Sequence, residues 1–300
     1  MLFGIPTFVW VCRYAFGEII MNFANLHLHS HYSDATFTPY QLALIGKSLG
    51  YGALALTDHE TDGGVKEFAR GCEKLGLQSL YGVEFYGYHD GHCLHLVALD
   101  YDYDDPGFRS YVRERCELYT EYTRKCVERG IQIGYIKDFT WNDVLDYARD
   151  GSWICIDHVI NMMKFKGLMD PTDDGMDLRL NVFKGPEIQP FKAPRPSAER
   201  VIKIIRKAGG IAVLAHPLNQ THYVPELVEF GLNGIEVCHP LLDGAAEPLA
   251  LEAAKTFKLY HSGGTDHTGA MSSCGGENAV PAWHGITEEE FYTMKERKLG

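Results

Sequence analysis

Basic residues are the minority charge in this 300-residue chain: 28 Lys and Arg against 40 Asp and Glu leave a formal net charge of −12. Such an acidic surface repels long polyanions, so stable binding to duplex nucleic acid is not expected. A small phosphorylated substrate is still admissible, because bound divalent ions invert the local field. No CxxC pair occurs among the eight cysteines. Cys72, Cys93, Cys155 and Cys238 sit in apolar patterns and read as small buried hydrophobes rather than bridges, which fits a reduced, cytoplasmic protein. There is no fixed-period repeat and no low-complexity tract. The apolar opening stretch, MLFGIPTFVWVCRYAFGEII, has no basic leading segment and is interrupted by Arg13 and Glu18. It is too broken for a spanning helix and poor as a signal peptide. Met21 stands directly before the first expected strand, so residues 1–20 read as an extension outside the fold that begins at an upstream start.

What the chain does have is a series of short apolar runs, each ending on a histidine or an acid. They are FANLHLH (23–29), ALALTDH (53–59), LYGVE (80–84), CLH (93–95), WICIDH (153–158), IAVLAH (211–216), GIEVCH (234–239) and YHSGGTD (260–266). A parallel barrel gathers the C-terminal ends of its strands on one face, where active sites of such barrels lie. Imidazoles and carboxylates converging there are the ingredients of a metal site.

Between the runs a strand–helix rhythm is legible. Thr38-Pro39-Tyr40-Gln41 is a capping box with proline at the first helical position, and Gly50 ends that helix. Asp62 is expected to cap a second helix that Gly76 closes. Asp90-Gly91 signals a hairpin. Beyond Asp100 the rhythm stops: a long helix over 107–130, another from Thr140, and four prolines between 186 and 196. The expected organisation is an α/β barrel over 21–100 and 197–300. A mostly helical insertion or cap covers 101–196 and contains one barrel strand near 153–158. The tail from Ile286 is an amphipathic helix.

Individual candidates carry different weight. His27 and His29 alternate on a strand and so share a face; a hydrogen-bonded histidine pair is the bland alternative. Asp34 follows within one loop, where it is either a ligand or a turn aspartate. His59 ends an apolar strand, and Asp58 is placed to orient it. Glu84 is a lone acid among Val, Phe, Tyr and Gly, costly unless paired or coordinated. His95 and His158 each lie in apolar surroundings that equally suit a satisfied core histidine. His31 reads as a loop residue near the mouth. His216-Pro217 and His239-Pro240 both stop strands, with His216 ranked above His239 as a substrate-contacting or ligating group. In Gly263-Gly264-Thr265-Asp266-His267 the glycines permit close backbone approach and Asp266 is a ligand candidate. His89 and His92 flank the hairpin turn; His222 and His284 have no supporting context.

Taken in order, HLHSHYSD (27–34), TDH (57–59), GVE (82–84), His95, His158, AHP (215–217) and TDH (265–267) resemble the PHP family, named for polymerase and histidinol phosphatase domains. The likeness spans 25–267 and is nearest to free-standing phosphoesterases with a helical insertion. It implies a distorted seven-stranded (β/α) TIM-like barrel with two or three divalent ions, Mn, Zn or Fe. His27, His29, Glu84 and Asp266 would hold the first ion. Glu84 would bridge to a second, held by His95 and His158. Asp34, His59 and His267 would hold a third. Two departures stand out. The family's Asp-x-His ending is here an adjacent Asp266-His267 followed by Thr268. The arginine that relatives acting on phosphate often carry two residues before the histidine aligned with His158 is here Ile156, with Lys164, Lys166 or Arg195 as candidate substitutes.

The implied reaction is metal-assisted hydrolysis of a small phosphoester, either a phosphomonoester or a nucleotide-like phosphodiester. Attack comes from a hydroxide bridging two ions, with His31 and His216 as proton donors or substrate contacts. The alternatives are a metal-dependent amide or carboxylic ester hydrolase, and a metal-binding module with degenerate catalysis.

Overall fold

The protein is described by a computed structural model covering residues 14–15, 18–19, 22–148, 153–185, 192–242, 244–267 and 284–297. Strands β1 (Tyr14–Ala15) and β2 (Glu18–Ile19) pair antiparallel with each other in a separate two-stranded sheet. The rest of the 1–20 extension, together with Met21, lies outside the described residues, as does Thr268.

Seven strands make the main sheet in chain order: β3 (Ala24–Asn25), β4 (Ala53–Leu56), β5 (Gln78–His89), β6 (His92–Leu99), β7 (Ile211–Leu214), β8 (Gly234–Cys238) and β9 (Tyr260–Gly263). Its ends meet, because the Leu26 amide donates to Gly263 O at 2.9 Å and the Asp266 amide to His27 O at 3.0 Å. The sheet is therefore a nearly closed barrel. Its strands read as unbroken apolar runs because both faces are covered; all four residues of β4 are fully buried.

The barrel is not wholly parallel. β6 runs antiparallel to both β5 and β7, while the other neighbours are parallel. The cause is the turn foreseen at Asp90-Gly91, whose φ values of 47° and 80° fit a two-residue hairpin. One expectation needs revising. His95 is not the C-terminal end of a short run; it stands in the N-terminal half of β6 and reaches the mouth because that strand points the other way.

The helices α1 (Pro39–Ser48), α2 (Val65–Leu75), α7 (Ala198–Lys207), α8 (Val224–Phe230), α9 (Ala246–Phe257) and α10 (Glu288–Lys295) surround the sheet. The Thr38 capping box is present, and Gly76 closes α2 in the left-handed conformation. Asp62 does not cap α2: the helix starts after Gly64 without a side-chain cap, and only the Asp62 carbonyl accepts, from Val65 N.

Between β6 and β7 lie α3 (Pro106–Gln132), α4 (Trp141–Tyr147), α5 (Ile156–Phe165) and α6 (Met176–Leu178), which runs on into a wide helical turn over Arg179–Phe183. They share an apolar cluster of their own that includes Val127, Val144, Ile160 and Val182. The barrel strand expected near 153–158 is not there. Cys155 is the extended residue that opens α5, and the apolar pattern continues at helical spacing through Val159, Ile160 and Met163. A short apolar run fits a strand or a helix entry equally well, and here its continuation decides.

Candidate metal centre

Glu84 lies just past the stretch of β5 that pairs with β4, at the level of the barrel mouth, and is fully buried. Five imidazoles surround it. Its Oε2 is 3.3 Å from His27 Nε2, 3.3 Å from His29 Nε2 and 2.9 Å from His59 Nδ1. Its Oε1 is 2.9 Å from His95 Nδ1 and 3.4 Å from His216 Nε2. Asp266 closes the group from beyond β9, with Oδ1 at 3.0 Å from His29 Nε2 and 3.6 Å from His27 Nε2. Asp266 takes a left-handed φ of 47°, uncommon outside glycine but accessible to aspartate. Gly264 allows this approach, since a Cβ there would meet His27 N at 2.4 Å.

These residues fit a metal. His27 Nε2, His29 Nε2, His59 Nδ1 and Glu84 Oε2 are buried and make no hydrogen bond, a costly state for a purely structural cluster. Tetrahedral bonds of about 2.0–2.2 Å put ligand atoms about 3.3–3.6 Å apart, close to the separations found. Groups at ligand distance are His27, His29, Glu84 and Asp266; His59, Glu84 and His95; and His29, Asp34 and His59. In the last, Asp34 lies 3.6 Å from His29 and 3.7 Å from His59. The donors are nitrogen and oxygen, a set that suits Mn, Zn or Fe. Cys155 is outside these groups, and burial pushes its thiol well above the ordinary range.

The electrostatics are those of a pocket waiting for positive charge. Burial alone would lower His27, but Glu236, Glu84 and Asp266 hold it well above the ordinary imidazole value. Burial is likewise outweighed at His29 by Asp34, Asp266 and Glu84. In return Glu84 is held well below the carboxylate range, against its burial, by His59, His27 and His95.

Other expected site residues stand further off. His158 opens α5, where its Nδ1 accepts from Cys155 N at 3.2 Å and its Nε2 faces His31 O at 3.4 Å. It is outside the ligand-distance groups, and His59 and His216 stand beside Glu84 where it was expected. Burial lowers it to about 4, so it is neutral at pH 7. His267 is buried against Phe37, with ring centroids 5.3 Å apart, and is also outside those groups. His31 is half-buried at the rim, its Nδ1 3.4 Å from Phe37 O. Asp58 does not orient His59; it accepts from Ser30 N, Ser30 Oγ and Ser33 Oγ at 2.6 Å each and so clamps the loop after His29. Lys166 is turned to Asp143, and Arg195 lies over the Tyr88 ring.

Sequence reasoning missed two residues, Glu236 and Arg179, and ranked His239 below His216. His239 Nε2 is 3.4 Å from Asp266 Oδ2 and buried without a hydrogen bond. Glu236 is buried 2.9 Å from His27 Nδ1. Its signal was present in GIEVC, a lone acid in an apolar strand, the same feature that singled out Glu84. Arg179 had no such signal. It lines a cavity of about 150 Å³ together with Asp34, His59, Tyr86, Trp153 and Ile156. A larger cavity of about 570 Å³ lies outside the barrel between α9 and α10 and holds no member of the cluster.

Fold and centre define a class, a nearly closed seven-stranded α/β barrel with a buried His/Glu/Asp cluster at metal-ligand distances. Residues 25–150 match the PHP domain model. A phosphoribosyl 1,2-cyclic phosphate 1,2-diphosphodiesterase from Eggerthella lenta is 27% identical over 249 residues, 82% of this chain and 94% of that protein. A 3',5'-nucleoside bisphosphate phosphatase from Chromobacterium violaceum is 28% identical over 256 residues, 81% of this chain and 86% of that protein. A solved structure from Bifidobacterium adolescentis, classed as a metal-dependent phosphoesterase, superposes with a TM-score of 0.76 at 23% identity, covering 91% of this chain and 96% of that one. The PHP-domain match is confined to residues 25–150, and the relatives that align over most of the chain are named as phosphate-ester-cleaving enzymes. Among the described residues no helix is long and apolar enough to cross a membrane.

Proposed function

We propose that this chain hydrolyses a small phosphoester, a phosphomonoester or a nucleotide-like phosphodiester, at the cluster centred on Glu84. It is an enzyme of the hydrolase class. The observation that carries the reading is the convergence of buried ligand atoms without hydrogen bonds, His27 Nε2, His29 Nε2 and Glu84 Oε2, on Asp266. The relatives quoted above act on a cyclic sugar phosphate and on a nucleoside bisphosphate, both small and phosphorylated.

His27, His29, Glu84 and Asp266 would hold one divalent ion, and His59, Glu84 and His95 a second. Asp34 with His29 and His59 is an alternative place rather than an additional one, since both imidazoles already serve the first two groups. Bound there, Mn, Zn or Fe would supply Lewis acidity and acidify water at neutral pH. The chain does the rest. Glu84 uses its two oxygens on two different imidazole groups and so fixes their spacing. His216 lies beside Glu84 at the centre, and His31 stands at the rim; these are the groups assigned to contact substrate or to pass a proton to the leaving oxygen. Arg179 supports the phosphate reading. It stands on the wall of the same cavity as Ile156, the position where the family arginine is missing, and Asp157 holds its guanidinium there. The helical segment 101–196 supplies that wall and acts as a cap that sets substrate size.

The test is a screen of metal-loaded protein against p-nitrophenyl phosphate, bis-p-nitrophenyl phosphate, nucleoside bisphosphates, cyclic phosphates, amides and carboxylic esters. Phosphate-ester cleavage that chelation abolishes and metal restores is expected. Cleavage of amides or carboxylic esters alone, or protein that binds no metal, would overturn it.

A further inference from the structure

Glu236 sits mid-strand in β8. Its neighbours Ile235 and Val237 belong to the apolar layer beneath the helices, so alternation turns Glu236 into the barrel. It is 1% exposed. An ionised carboxylate so buried is tolerable only if its oxygens are satisfied. Both are: Oε1 lies 2.9 Å from His27 Nδ1, and Oε2 accepts from the His216 amide at 2.6 Å.

We propose that Glu236 is a positioning residue that presets two imidazoles of the metal centre, fixing the ring-nitrogen state of His27 and the strained backbone of His216. A carboxylate can only accept, so the proton of the pair belongs on His27 Nδ1. That leaves the Nε2 lone pair directed toward Glu84 and Asp266, the geometry in which a carboxylate–histidine pair serves a metal. The second oxygen anchors His216, whose φ of 27° is strained for a residue with a Cβ. His27 and His216 meet different oxygens of Glu84, so one buried acid sets both sides of the centre.

His27, Glu236 and His239 also stand at ligand distance from one another, but a further cation there is the poorer reading. Both Glu236 oxygens already face N–H groups, and His27 would have to give up its Nδ1 proton while Nε2 coordinates. The proposal rests on the metal-centre reading, not on the identity of the substrate.

Zinc-loaded protein with ¹⁵N-labelled histidine provides the test. Long-range ¹H–¹⁵N spectra should show His27 protonated on Nδ1. Glu236→Gln offers one acceptor where two are needed. It should weaken zinc about 10- to 100-fold in competition with a chelator and lower the hydrogen-exchange protection of the His216 amide. His27 protonated on Nε2 in the unaltered protein overturns the proposal, whether or not the variant folds. So does a Glu236→Gln protein that keeps zinc affinity within twofold with His27 signals unchanged. An enzyme that binds zinc as described but cleaves no phosphoester would sink the proposed activity and leave this inference standing.

Discussion

Nε2 of His29, just past β3, lies 3.0 Å from Oδ1 of Asp266, just past β9. The contact joins the first and last strands of the barrel by an imidazole and a carboxylate. With both His27 and His29 held above their ordinary value, the metal-free pocket stores protons at pH 7 that ligation must displace. Metal loading should therefore release protons. Calorimetry in buffers of different ionisation enthalpy reads this directly; metal uptake with no proton release would contradict it.

Glu84 is shared by two groups of residues at metal-ligand distance. Glu84→Ala and Asp266→Ala should each lose bound metal and more than about 100-fold in turnover, exceeding the usual loss for an outer-sphere partner. The circular dichroism spectrum should persist. Near-normal turnover in both variants would refute the site.

Arg179 lines the cavity beside Asp34 and His59 in which the proposed substrate would bind. Arg179→Met should raise KM for phosphoesters about 10- to 100-fold, the worth of a charge-assisted hydrogen bond, with metal content unchanged. An unaltered KM for every phosphoester cleaved removes Arg179 from the site.

The long helix of the insertion is fastened to the barrel by a buried ion pair, Arg115 Nε to Glu60 Oε2 at 2.5 Å, while Glu60 Oε1 accepts from Tyr86 N at 2.8 Å. Deleting one partner strands the other. Glu60→Ala should cost about 3–5 kcal/mol in chemical denaturation, whereas the double replacement Glu60→Leu with Arg115→Met should cost less than either single change. A single variant as stable as the parent would show that the pair does not hold the helix.

His158 gives a pH test. Its folded value of about 4 lies below the ordinary 6.5. Between those values the unfolded chain takes up a proton that the folded chain refuses, so stability falls as pH drops from about 6.5 to about 4, by at most about 3 kcal/mol. Above 6.5 the group contributes no slope. Urea melts of chelator-treated protein should show this acid loss reduced in His158→Asn; parallel curves for the two proteins would count against it.

Much of this centre was legible in the chain. HLH at a strand end, a lone acid in GVE and TDH after an apolar run are chemically conspicuous, because buried polar groups need a reason. The helix starts at Thr38 and Thr140 were equally readable, since each uses a local hydrogen bond. The reversal at β6 was legible in Asp90-Gly91; that it brings His95 to the mouth was not, because an apolar run does not show which of its ends meets the other strands. WIC at 153–155 misled for a related reason: three apolar residues carry no period.

The sequence alone determined which side chains can bind metal and roughly where strands end, because those properties belong to residue type and short-range spacing. Tertiary structure decided which of them meet. It set His59 and His216 beside Glu84 and left His158 facing His31, it put Glu236 behind His27, and it brought Arg179 from the insertion to the cavity beside Asp34. Those pairings depend on barrel closure and on how the helical segment packs, where residues remote in the chain are held within a few ångströms by contacts that no local pattern encodes.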